Sequence, residues 1–155
     1  MDVVVRPAEI DDLKKLLEFE QGVITAERPF DVTLKREPIN YYDLQAMLAA
    51  PHIRLVVAVS GGEIVGSGYA RIEESKAYLT HDRHSYMGFM FTVPEHRGKG
   101  INQKIIEALE QWSLSQGVTE MRLEVYVENA SAIRAYEKIG FSGNILKMRK
   151  SISEE

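Results

Sequence analysis

Apolar and polar residues follow two rhythms along this chain, and each change of rhythm marks an element. Val3-Val4-Val5-Arg6 reads as a first strand, after which Pro7 opens a helix whose face carries Ile10, Leu13, Leu16, Leu17 and Glu20, with Asp11 and Asp12 favouring its first turns. The period fades over 22–38, which holds Pro29 and Pro38 and reads as a long loop of the kind that is functional or mobile. A second helix over 39–50 presents Tyr42, Leu44, Met47 and Leu48 and ends at Pro51. Residues 54–59 form a strand, Ser60-Gly61-Gly62-Glu63 a turn, and 64–72 its hairpin partner, in which Gly66 and Gly68 relieve packing or mark a bulge. Polar residues 73–84 predict a solvated connection into a strand over 85–93 that Pro94 stops. Ile101, Ile105, Ile106, Leu109 and Trp112 then share a helical face that ends near Gly117. A strand over 119–127 turns Met121, Leu123, Val125 and Val127 one way, a helix covers 129–139 up to Gly140, and 141–152 predicts one or two closing strands.

This order is mixed α/β, simplest as one three-layer domain over 1–155 without repeats or linkers. A chain of 155 residues buries enough surface to need no covalent staple. It contains no cysteine, which removes a cysteine nucleophile, a thiolate metal site and a redox switch. Met1 leads directly into the first strand with no basic-then-apolar leader, and no apolar run is long enough to span a bilayer, so the expectation is a cytoplasmic protein without a membrane partner. The net charge of -4 argues against a broad nucleic-acid surface. The four histidines lack ligand spacing, and no metal is expected.

Local chemistry concentrates where the strand ending Met90-Phe91-Thr92-Val93 passes through Pro94-Glu95-His96-Arg97-Gly98-Lys99-Gly100 into a helix. A strand that turns through two glycines into a helix points several free N–H groups one way, and Arg97, Lys99 and Lys104 add positive charge, so the turn is an anion site by construction. Neither a Walker loop nor a Gly-x-Gly-x-x-Gly is present. A second stretch, from Val127 to Phe141, places Asn129 as an N-cap and sets Ala132, Ile133, Tyr136 and Ile139 at helical spacing.

Together these stretches resemble the GNAT N-acetyltransferases. Arg97 and Gly100 match that family's Arg/Gln-x-x-Gly-x-Gly/Ala signature, while Asn102 stands where the family has a small residue. Asn129-x-x-Ala132-x-x-x-Tyr136-Glu137-Lys138-x-Gly140-Phe141 is similar to its second block. The resemblance runs along nearly the whole chain. It implies the GNAT fold, a mostly antiparallel sheet flanked by helices, and acetyl-CoA as acetyl donor. Its pyrophosphate would lie on Arg97, Gly98, Lys99, Gly100, Ile101 and Asn102, and its pantetheine arm beside Phe91, Thr92, Val93, Asn129 and Ala132. Tyr136 would be the general acid toward sulfur, and the N–H of Phe91 would face the oxyanion.

The chemistry fits these residue types. An amine attacking a thioester needs a donor for the developing oxyanion and a proton for the leaving sulfur, and a tyrosine stays protonated at neutral pH. With no cysteine, transfer would be direct in a ternary complex. Candidate general bases are Glu73, Glu74, His81, His84, Tyr86 and Glu124. The acceptor, a primary amine of a small molecule or peptide, would be walled by Glu27, Arg28, Phe30, Asp31, Tyr41 and Tyr42. An acyl-CoA sensor without turnover and a nucleotide-phosphate protein are the alternatives. Edge strands near the C-terminus would support a homodimer.

Overall fold

Five strands form one sheet in chain order: β1 (Val3–Pro7), β2 (Ile53–Ser60), β3 (Glu63–Glu74), β4 (Arg83–Thr92) and β5 (Met121–Leu123). All neighbours are antiparallel except β4 and β5, which run parallel. The helices are α1 (Leu13–Glu27), α2 (Leu44–Ala49), α3 (Ile101–Ser115) and α4 (Ala130–Ile139). This computed structural model describes residues 2–153; Met1, Glu154 and Glu155, the ends of the expected domain, lie outside the described residues. The chain forms two compact units, Met1–Glu124 and Val125–Glu155.

In the first unit, alternation along the strands sends side chains to two faces. One face, with Leu55, Val57, Tyr69 and Phe89, packs on Leu16, Phe19 and Val23 of α1 and on Leu44 and Met47 of α2. The other face meets α3, whose Ile101, Ile105, Ile106 and Leu109 are buried, each worth roughly 1.5–3 kcal/mol. Two buried hydroxyls fasten α3 to the sheet. Ser113 Oγ donates to Leu109 O (2.8 Å), so the Ser85 hydroxyl donates to Ser113 Oγ (2.7 Å).

Several elements differ from the sequence reading. Pro7 closes β1 instead of opening a helix, since an edge strand tolerates its missing N–H. A capped 3-10 turn, Ile10–Asp12, comes between, held by Arg6 donating to both Asp12 oxygens (2.8 and 3.1 Å) and by Glu9 N–H donating to Asp12 Oδ2 (2.7 Å). Ile10 and Leu17 are exposed, and the buried face of α1 is Leu16, Phe19, Glu20, Val23 and Ile24. The expected loop at 22–27 is helical. Gly22 sits there because a Cβ would stand 2.6 Å from Phe91 Cε1, so a helical glycine lets that ring lie against α1. The second helix is shorter than expected, starting at Leu44 behind Asp43, whose side chain accepts from Ala46 N–H (3.1 Å).

Glycines at 61 and 62, both with positive φ (58° and 81°), make the tight turn between β2 and β3. β3 and β4 extend through much of the expected polar connection, pairing out to Glu74↔Arg83. The expected strand over 119–127 shrinks to Met121–Leu123, because its ladder with β4 stops at Met87, where β4 begins to bulge.

In the second unit, Asn129 Oδ1 accepts from Ala132 N–H (3.3 Å) at the start of α4. Gly140 ends the helix at φ 110°, with Phe141 N–H returning to Tyr136 O (3.1 Å). The closing strands expected over 141–152 are absent. Ile145, Leu146, Met148 and Ile152 are exposed there, and the edge strands expected to carry a dimer are not formed among the described residues.

Candidate active site

The site grows from one irregularity. Gly88 pairs with Tyr69 and Phe91 with Ser67, so Phe89 and Met90 together oppose the single residue Gly68. Phe89 takes the left-handed conformation (φ 58°), a backbone strain of about 1–3 kcal/mol for a residue with a side chain. Ser67 Oγ donates to Phe89 O (3.0 Å), and the Phe89 ring is buried, so hydrogen bonding and packing hold the bulge. Gly68 is required below it, since a Cβ would meet Ile105 Cγ2 at 2.7 Å and Met90 Sδ at 2.9 Å. The glycine pair of β3 therefore does mark a bulge, located on the partner strand.

After the bulge, β4 continues over 88–92, and among the described residues no strand pairs on its β5 side. Val93 N–H donates to Val65 O (2.9 Å), which makes that pair laddered; laddered pairs alternate with pairs whose main-chain groups point outward. Counting back, Phe91 is laddered to Ser67, and Thr92 and Met90 face outward. This corrects the expectation that Phe91 N–H faces an oxyanion. Its amide belongs to the β3 ladder, and its ring packs on Phe19 (centroids 4.8 Å apart).

β4 then enters a 3-10 turn, Pro94–His96. Arg97 folds back, with Nε donating to Thr92 O (3.1 Å) and its guanidinium 5.9 Å from the Phe91 ring, so it braces the turn as well as charging it. Gly98 and Gly100 both adopt positive φ (78° and 79°), and a Cβ on either would meet nothing within 4 Å. Open space beside two left-handed glycines is the room a phosphate group needs. The first helical bond of α3 runs from Lys104 N–H to Gly100 O (3.2 Å), leaving the amides of Ile101, Asn102 and Gln103 without intrahelical acceptors. The Asn102 side chain does not remove its own amide from that set.

Tyr69, Arg71, Glu73, His84 and Tyr86 gather on the α1–α2 face of the sheet. The Tyr69 ring lies across Gly88, where a Cβ would stand 2.6 Å from its hydroxyl. Tyr42 meets Tyr69 (5.7 Å) and Phe89 (5.2 Å), and Tyr69 meets Tyr86 (6.5 Å). The Arg71 guanidinium covers both Tyr69 (5.6 Å) and Tyr86 (5.4 Å) and pairs with Glu73 (2.7 Å). His84 Nε2 lies 3.3 Å from the other Glu73 oxygen, and its Nδ1 lies 2.8 Å from Ser75 Oγ. Tyr86 donates to Glu124 Oε1 (2.9 Å). Burial first, then the hydrogen bond to Glu124, pushes the Tyr86 phenol far above its ordinary value, and burial does the same to Tyr42.

Of the expected acceptor walls, Tyr42 and Glu27 reach this cluster. Burial raises the Glu27 carboxyl, while the Tyr41 hydroxyl beside it opposes the rise. Residues 39–42 are tied to α1 by the fully buried Glu20, whose Oε2 accepts from the N–H groups of Tyr41 (2.6 Å) and Tyr42 (2.7 Å), and by Gln21 donating to Ile39 O (2.9 Å). Arg28 is spent on its own loop, donating to Lys35 O (2.7 Å) and Glu37 O (3.4 Å). Asp31 accepts from Thr33 N–H (2.9 Å) in the same loop, and Phe30 is half-buried beside it. Tyr69, Arg71, Gly88 and Met90 escaped sequence reading; the signal for the first two was the alternation Tyr69-x-Arg71-x-Glu73, which puts three polar-headed side chains on one strand face, and Gly88 and Met90 carried none.

The second unit holds Asn129, whose side-chain oxygen is the helix cap, and Tyr136, whose ring meets Phe141 edge-on (6.0 Å, 78°).

Comparison with known proteins agrees with this architecture. A family model described as acetyltransferase (GNAT) family matches residues 17–141. An IAA acetyltransferase of Azospirillum brasilense is 35% identical over 106 residues, 68% of this chain and 65% of that protein. The chain thus spans just under two thirds of that relative's length. A solved protein of Bacillus halodurans superposes with a TM-score of 0.85 at 18% identity, over 97% of this chain and 99% of that one. A Clostridium acetobutylicum structure, described as a predicted acetyltransferase with acetyl-CoA, gives 0.76 at 16% identity over 97% of both chains. At such identities the structural likeness is one of fold.

Proposed function

The chain belongs to the acetyltransferase (GNAT) family, and from that premise we propose that it moves the acetyl group of acetyl-CoA directly to a primary amine. The observation that carries the reading is the unpaired edge of β4, which runs from the bulge through Thr92 into the left-handed glycines and the free amides of α3. An extended arm ending in a pyrophosphate fits that sequence of groups: outward amides and carbonyls first, then an anion cradle. Arg97, Gly98, Lys99, Gly100, Ile101 and Asn102 hold the phosphates, and Thr92 and Val93 flank the pantetheine, with Asn129 and Ala132 contributing from the second stretch.

Met90 in the bulge, whose amide is turned opposite to that of Phe91, supplies the oxyanion donor. Tyr136 protonates the departing sulfur. The amine enters on the face carrying Tyr42, Tyr69 and Tyr86, beside Glu27. One domain comprising both stretches carries out the reaction, in the cytoplasm, as befits a cysteine-free chain that draws on acetyl-CoA.

CoA thiol release from acetyl-CoA across polyamines, amino acids, aminoglycosides and lysine peptides tests this, with Tyr136→Phe run beside the wild type. Release with one acceptor class, lowered about 10²- to 10⁴-fold in the variant, is expected. Acetyl-CoA binding without release from any amine would instead mark a sensor.

A further inference from the structure

We propose that the Met90 amide is aimed at the thioester oxygen by a clamp on Phe89, with Ser67 on its carbonyl and Tyr42, anchored by Glu20, on its N–H; this rests on the acetyltransferase reading above. The bulge sets Phe89 and Met90 against the single residue Gly68, so the main-chain groups of Phe89 must find partners outside the ladder. Side chains supply both. The Phe89 carbonyl accepts from Oγ of the fully buried Ser67 (3.0 Å). A hydrogen bond from the Phe89 main chain reaches the Tyr42 hydroxyl and opposes the rise that burial imposes on that phenol. A bond with that effect is one donated to the phenol oxygen, so its donor is the Phe89 N–H. The Tyr42 ring is held in place 5.2 Å from the Phe89 ring, with Tyr41 (5.8 Å) and Tyr69 (5.7 Å) against it.

These two bonds decide where Met90 points. A trans peptide is planar, so the Phe89 carbonyl and the Met90 N–H share one plane and face opposite ways. Ser67 grips that plane by its oxygen, and Tyr42 grips the plane before it. Together they hold Phe89 at its left-handed φ of 58°, a conformation a residue with a side chain leaves readily unless its surroundings fix it. If either grip is lost, the peptide plane can swing and the Met90 N–H turns with it.

Glu20 sets the outer half of the clamp. It is fully buried on α1, and its Oε2 accepts from the N–H groups of Tyr41 (2.6 Å) and Tyr42 (2.7 Å). Its Oε1 is buried with no hydrogen-bond partner among the described residues, so the hydrogen bonds of this carboxylate all go to the segment that carries Tyr42. Glu20, Tyr42, Ser67 and Phe89 all lie in the first compact unit. Ser67, Tyr42 and Glu20 are therefore positioning residues that act through Phe89. Tyr42 also borders the acceptor face, so Ser67, which does not, separates aiming from acceptor binding.

The test reads the thioester carbonyl itself. Acetyl-CoA labelled with carbon-13 at that carbonyl is bound, without acceptor, to wild type, Ser67→Ala, Tyr42→Phe, Glu20→Ala and Glu20→Gln, and its NMR shift is compared with that of the free cofactor. Turnover and calorimetric acetyl-CoA affinity are measured beside it. In the wild type the Met90 N–H should polarise the carbonyl and move its resonance downfield of the free value. Ser67→Ala and Tyr42→Phe should return it toward the free value and lower kcat about 10- to 100-fold, short of the roughly 10²- to 10³-fold cost of deleting an oxyanion donor. Acetyl-CoA affinity should hold. The two variants combined should lose less than the product of their separate losses, since both act on one residue. Glu20→Gln, which keeps an oxygen for the two amides, should retain the turnover and the shift that Glu20→Ala loses. A wild-type carbonyl shift and kcat in both Ser67→Ala and Tyr42→Phe would overturn the clamp, even where Tm falls. A wild type that shifts the bound carbonyl yet releases no CoA with any amine would overturn the acetyltransferase reading and leave the clamp standing.

Discussion

Gly88→Ala isolates the contact on which the aromatic cluster rests. A methyl group there would stand 2.6 Å from the Tyr69 hydroxyl and 2.8 Å from two ring carbons. These lie below any relaxed contact, so the ring must move. Tyr69 is only 3% exposed and is bounded by Tyr42, Tyr86 and Arg71, so it has no empty volume to swing into. Overpacking of this kind costs about 1–3 kcal/mol. For a domain of this length each kcal/mol shifts Tm by about 2–4 °C, which gives a fall of roughly 2–12 °C. Scanning calorimetry measures it, and a double-mutant cycle with Tyr69→Leu assigns it. Once the ring is gone, the added methyl should cost less than about 0.5 kcal/mol, so the two changes should be strongly non-additive. The acceptor KM should rise in Gly88→Ala while acetyl-CoA affinity holds. An unchanged Tm, or penalties that simply add, would refute the reasoning.

Glu20→Ala leaves the N–H groups of Tyr41 and Tyr42 without their acceptor, and at about 1–3 kcal/mol for each buried donor the loss should be roughly 2–6 kcal/mol, read as a lower urea midpoint at constant m. Arg6 holds the Asp12 carboxyl below its ordinary value, chiefly through their hydrogen bonds. The stabilisation from that pair is fully present above the unfolded-state value near 3.9 and is lost as pH falls through the lower folded-state value. Asp12→Asn should flatten urea midpoints against pH in that acid range. Gly22→Ala should destabilise despite alanine's better helix propensity, because its Cβ would stand 2.6 Å from Phe91; a gain in Tm would show that the ring can retreat.

The glycine turn into α3 was legible because everything it needs is local: glycines where left-handed backbone is required, and an apolar stripe that starts a helix at the next residue. The bulge was half legible. Gly66 and Gly68 announced a close approach, yet only the pairing of β3 with β4 shows that the extra residue lies across from them, which moved the outward amide from Phe91 to Met90. Gly22 misled for a related reason, since a glycine reads as a break unless the ring it accommodates, some seventy residues later, is known. The tyrosine cluster was hidden because strand alternation reports which face a side chain takes and nothing of what meets it there. The tail over 141–152 shows the converse: apolar residues with strand spacing stay exposed and form no strand.

The hydroxyl pair between Ser85 and Ser113 acts as a bolt on a long shaft. Ser113 lies near the far end of α3, and at 1.5 Å of rise per residue the amides at Ile101 stand about 18 Å away along the axis. Slippage of α3 by even one residue would break the 2.7 Å bond and strand the buried Ser85 hydroxyl, since Ser113 keeps its bond to Leu109 O within the helix. The contact therefore fixes the helix's register along its axis. The first-turn amides of α3 are thus registered against the sheet by a polar contact at the opposite end of the shaft.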